Sequence, residues 1–182
     1  MIGLAIWVLA AASLTAVFRD GLRLWRASQN NAPLHQEARS ILEGIARDFR
    51  NAMDVPGVGW RITPEGVTFA TIDQGAIQKI TYQLSPSDDR PRFLYRIRQP
   101  LSPVALQAPV ETPLTEHQTT LSWEYATRPA NGAITWLSDW KPVRGRALPF
   151  GIRVQLTLFD GKTESQTYTR TVFCPGALRG PL

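Results

Sequence analysis

Apolar residues fill the first eighteen positions of the chain without a charge. Residues 1–18 read MIGLAIWVLAAASLTAVF, and Arg19, Asp20, Arg23 and Arg26 follow at once. As a helix this run is roughly 27 Å long, close to a bilayer's hydrocarbon thickness. It is apolar on all faces, which suits lipid better than one side of a sheet. Its side chains Ile2, Leu4, Ile6, Trp7, Leu9, Leu14, Val17 and Phe18 are the expected membrane or helix-packing positions. A secretory signal peptide would need a basic stretch before the apolar core, and only Met1 precedes it here.

The pattern then changes period. Leu34, Ala38, Ile41, Leu42, Ile45 and Phe49 recur at helical spacing and form one stripe, with Arg39, Glu43, Arg47, Asp48 and Arg50 mostly on the other side. Asn31 is placed to cap a helix with Pro33 in its first turn, or one continuous helix kinks near Pro33. A helix from near Met1 to about Ala52 therefore starts apolar all round and ends amphipathic, its stripe laid on a sheet. Between the two halves lie Leu22, Trp25 and Ala32, the partner-interface candidates.

From Val55 the period falls to two and turn signals recur. Strands are expected over 58–62, 67–72, 76–84, 92–98, 119–127, 134–140, 150–159 and 166–173. In 92–98, Phe93, Tyr95 and Ile97 share one face and Arg92, Leu94, Arg96 and Arg98 the other. Residues 99–118 carry Pro100, Pro103, Pro109 and Pro113 and read as a loop. The segments are 1–18, a transmembrane or fibre-core half-helix; 19–53, its amphipathic continuation; and 54–182, a β domain.

Composition changes the picture by exclusion. The chain has 182 residues and a net charge of +5, too short for a TIM barrel and weakly basic, which gives little reason to expect nucleic acid. One cysteine, Cys174, and two histidines, His35 and His117, leave no intramolecular disulfide and no cysteine-rich metal site. No phosphate-binding glycine loop or nucleophile elbow occurs. Asp88-Asp89, Asp73 and Asp160 read as solvated turn residues. Ser122, Ser138 and His117 have no spacing that assembles a nucleophile and base. No catalytic, cofactor or metal residue is expected, and no small-molecule substrate. Trp123, Trp136 and Trp140 read as packing, or as a carbohydrate or peptide platform.

Taken together, these residues resemble the pilin-like proteins, and within them the J-type minor pseudopilins of type II secretion. Met1-Ile2-Gly3-Leu4-Ala5-Ile6-Trp7-Val8-Leu9 is similar to the apolar run that follows the Glu of the family's processing signature. The leader, cleavage site and Glu are not in this sequence. Either they lie upstream of an internal Met1, or the chain is a degenerate relative. Arg47-Asp48-Phe49-Arg50 resembles the stretch that ends the family's helix. Tyr125, Asn131-Gly132, Trp136, Trp140 and Leu148-Pro149 resemble its carboxyl-terminal hairpin and penultimate strand. The resemblance implies an α+β fold, with a long N-terminal helix, membrane segment then amphipathic, packed on antiparallel sheet. It implies a non-enzymatic subunit at the tip of a secretion pseudopilus. Its partners would be other minor pseudopilins, the major pseudopilin and, before assembly, the inner membrane, with the β domain in the periplasm. The other readings are a type IV minor pilin, or an anchored or secreted β-rich binding module that uses Trp136 and Trp140.

Overall fold

The computed structural model describes residues 2–63, 65–73, 75–85, 92–101, 108–127, 133–138, 148–159, 161 and 165–174. Within the helix, the side chains at 2, 4–6, 8–10, 12 and 23–32 lie outside that description. Two compact units are present, Met1–Glu37 and Ala38–Leu182.

One helix, α1 (Ile2–Arg50), runs through Pro33, so Asn31 caps no second helix. Its last turn carries Arg47 and Arg50, cations that complement the partial negative charge of a helix C-terminus.

Among the described residues ten strands follow, in two antiparallel sheets. The first holds β1 (Ala52–Met53), β2 (Arg61–Thr63), β3 (Gly66–Asp73), β4 (Ala76–Leu84), β5 (Leu94–Pro100) and β6 (Val110–Pro113). Its order is β1-β3-β4-β5-β6, with β2 also on β3. The second, in the order β10-β9-β7-β8, holds β7 (Gln118–Thr127), β8 (Thr135–Leu137), β9 (Gly151–Phe159) and β10 (Ser165–Phe173). Thr119 N–H donates to the Arg92 carbonyl at 2.7 Å and ties the start of β7 to the strand ahead of β5. At Gly66 a side chain would run into the Tyr82 carbonyl of β4, so the β2–β3 turn closes only on glycine.

The core of the second unit joins helix to both sheets. Ile41, Leu42, Ile45, Ala46 and Phe49 of α1 are buried, as are Val67, Phe69, Ile80, Tyr82 and Leu94 of the first sheet. Tyr125, Ile152, Val154, Leu156 and Leu158 supply the second sheet's share. An aromatic chain runs through it. Phe49 meets Trp60 edge-on at 5.3 Å, Trp60 stacks on Phe69 at 4.9 Å, and Tyr82 reaches Trp123 at 6.5 Å.

The structure corrects the expected class. Strand residues outnumber helical ones in the described chain, which is predominantly antiparallel β rather than a pilin-like α+β fold. Among the described residues no helix is long and apolar enough to cross a membrane. The membrane segment over 1–18, the transmembrane helix and the single-pass inner-membrane localisation fall with that finding. The described side chains of α1 ahead of Arg19 include the polar Ser13 and Thr15 beside Trp7, Leu14, Val17 and Phe18, and Arg19 and Asp20 continue the same helix.

Smaller differences concern the strands. The proline-rich 99–118 stretch contains β6, paired with β5 from Tyr95↔Pro113 to Arg98↔Val110. Only Arg61 onward of the expected 58–62 strand pairs, and Trp60 turns into the core instead.

Candidate functional site

Two arrangements stand out, one in each unit. In the first, α1 carries a one-sided apolar face. Leu14, Val17, Phe18, Gly21 and Leu22 follow offsets of three, four, seven and eight, so they line one side of the helix. Together they enclose a shallow concavity of about 360 Å³. Trp7, Leu14, Val17 and Phe18 are exposed by 79%, 74%, 71% and 68%. Gly21 leaves a gap in the face, through which another backbone can approach. Leu22 is half-buried. Thr15 returns its hydroxyl to the Ala11 carbonyl at 2.7 Å and presents no free donor. Ile2, Leu4, Ile6, Leu9, Trp25 and Ala32 belong to the same helix, but their side chains lie outside the described residues.

The second arrangement is polar and buried. Asp48, near the end of α1, accepts Arg96 Nε on Oδ2 at 2.8 Å and Arg96 Nη2 on Oδ1 at 2.9 Å. Tyr82 Oη donates to the same Oδ2 at 2.6 Å, and Thr71 Oγ1 donates to the Asp48 carbonyl at 3.0 Å. The Asp48 carboxylate thus binds α1 to β4 and β5, and its backbone carbonyl binds β3. Burial pushes the Tyr82 phenol far above its usual range, and the charge and hydrogen bond of Asp48 push it further. For Arg96, burial pulls downward, but the hydrogen bond and charge of Asp48 outweigh it and the guanidinium is held above its ordinary value. A phenol kept protonated and a cation locked to a carboxylate offer neither a base nor a nucleophile. The cluster fastens helix to sheet.

Sequence reasoning placed Asp48 among the outward residues. It is 7% exposed. The signal was present in its spacing, since Asp48 lies seven residues after Ile41 and three after Ile45, inside the apolar stripe.

The remaining candidates do not converge. His117 precedes β7 and Ser122 lies five residues along, roughly 17 Å in an extended chain. Ser122 faces solvent with Gln155 at 3.4 Å. Ser138 is exposed just past β8. Trp123 is in the core, while Trp136 is half-buried under the Arg153 guanidinium at 4.2 Å, where Arg153 also pairs with Glu124 at 2.8 Å. Cys174 is buried, its N–H on the Phe150 carbonyl at 2.9 Å. Asp73 ends β3, and Asp88, Asp89, Trp140 and Asp160 lie outside the described residues. Among the described residues no group of three or more metal-ligating side chains comes together.

No protein-family model matches the chain, and no curated protein sequence matches it.

Proposed function

We propose that the chain is a structural, non-enzymatic subunit that assembles with other subunits through α1, as a minor subunit at the tip of a secretion pseudopilus does. The observation that carries this reading is the apolar face of exposed Leu14, Val17 and Phe18 with half-buried Leu22 around Gly21. Four large apolar side chains at helical spacing, with a glycine among them, suit a second helix rather than a small polar ligand. The buried Asp48–Arg96–Tyr82 lock supports the same role, because load placed on α1 passes into the sheet through hydrogen-bonded and aromatic contacts. The proposed partners are other minor pseudopilins and the major pseudopilin. The reading rests on helix–helix packing and not on a membrane span.

Co-purification tests it. The full chain, mixed with the minor pseudopilins of one secretion system, forms a complex that Leu14→Glu with Phe18→Glu weakens at least tenfold. No complex with any of them, with both partners folded, removes the pseudopilus reading.

A further inference from the structure

Sheet edges expose unpaired backbone groups, and most edges in this fold are blunted. Strands β1, β2, β6 and β8 have two, three, four and three residues, and β6 ends in Pro113. The exception is β10. It runs nine residues without Pro or Gly, pairs with β9 in unbroken register, and ends its sheet among the described residues. Parity decides which of its backbone groups face outward. Cys174 N–H reaches the Phe150 carbonyl, so the even-numbered residues before it turn their backbone groups toward β9 in alternation. The odd-numbered residues from Ser165 to Phe173 therefore aim N–H and C=O at the open side, and their side chains are exposed.

We propose that this edge pairs antiparallel with the β10 edge of a second copy of the chain, about a two-fold axis at Thr169. Three observations select that occupant. A register centred on Thr169 sets odd residues against odd, so every outward N–H meets an outward C=O. The side chains match themselves: Thr169 meets Thr169, Thr167 meets Thr171, and Tyr168 meets Arg170, a phenol ring beside a guanidinium. Arg170 also carries its own counter-charge, Glu43 at 3.1 Å, so two bare cations do not meet near the axis. A two-fold interface requires this kind of self-complementarity. The result is one continuous sheet across two copies, independent of whatever binds α1.

Register-specific cross-linking of the full chain tests this, in a mild non-ionic detergent that shields the apolar face of α1. Cys174 is buried and remains in the background. Thr169→Cys meets its own copy about 5.5 Å away, within disulfide reach. Thr167→Cys lies roughly 13 Å from its copy and does not bridge. The expected result is a disulfide dimer for Thr169→Cys and for Thr167→Cys with Thr171→Cys, and none for Thr167→Cys alone. Thr169→Pro removes one outward N–H, which an edge strand tolerates, and abolishes the dimer with an unchanged melting profile. Equal cross-linking at Thr167 and Thr169, or none at Thr169, overturns the proposal. If Thr169→Pro unfolds the chain, the cysteine variants decide alone.

Discussion

Arg96 grips Asp48 through two parallel hydrogen bonds, Nε to Oδ2 at 2.8 Å and Nη2 to Oδ1 at 2.9 Å, and so pins the end of α1 to β5. The carboxylate side chain is 10% exposed and the guanidinium 20%, which makes the pair costly to break from one side. Arg96→Met leaves Asp48 buried without its cation and is expected to cost about 3 kcal/mol in urea unfolding. Arg96→Met with Asp48→Leu, which removes both charges, is expected to recover most of that loss. A double variant no more stable than the single one would contradict a charge-pair account.

Alkaline pH acts through Tyr82. A phenol in the unfolded chain titrates near 10, and the folded state holds this one protonated well above that. Above about pH 10 the unfolded chain therefore binds fewer protons than the folded one, so stability falls as pH rises. The contribution is complete below that pH. The loss is at most about 1.4 kcal/mol per pH unit for one group. Thermal unfolding of the wild type and Tyr82→Phe across this range checks it. The alkaline decline should be shallower in the variant, and equal slopes would place the effect elsewhere.

Phe49 is fully buried between Trp60 and Phe69, at 5.3 Å and 6.3 Å. Phe49→Ala opens a cavity where helix and sheet meet and is expected to cost 3 kcal/mol or more, about the usual range for such truncations. A loss below about 1 kcal/mol, measured by denaturant midpoint at constant slope, would mean that α1 is not part of the cooperative core.

Much of this architecture was legible in the period of the apolar residues. Ile41, Leu42, Ile45 and Phe49 announced the buried helical stripe, and Ile152, Val154, Leu156 and Leu158 alternate in the sequence and are all buried. What misled was charge. Asp48 was placed among the outward residues, yet it is Arg96's partner inside, and the alternation over 92–98 separated two faces without telling which one is inward; Leu94, fully buried, marks it. No local pattern announces a pair forty-eight residues apart. The 1–18 run invited a membrane reading because it is uncharged, apolar on all faces and about a bilayer long, yet among the described residues no helix is long and apolar enough to cross one. The proline count of 99–118 hid β6, because Pro113 sits at a strand end on a sheet edge, where no inward N–H is needed.

The claim that α1 is an assembly surface is tested most directly by photo-cross-linking from single positions around it. A photoreactive side chain at Leu14 or Phe18, in the full chain mixed with the proposed pseudopilin partners, should capture helical segments of another subunit, identified by mass spectrometry. The same group at Ala16 or Asp20, about half a turn away on the other face, should capture few or none. Equal capture from both faces, or none from Leu14 and Phe18, would contradict the account.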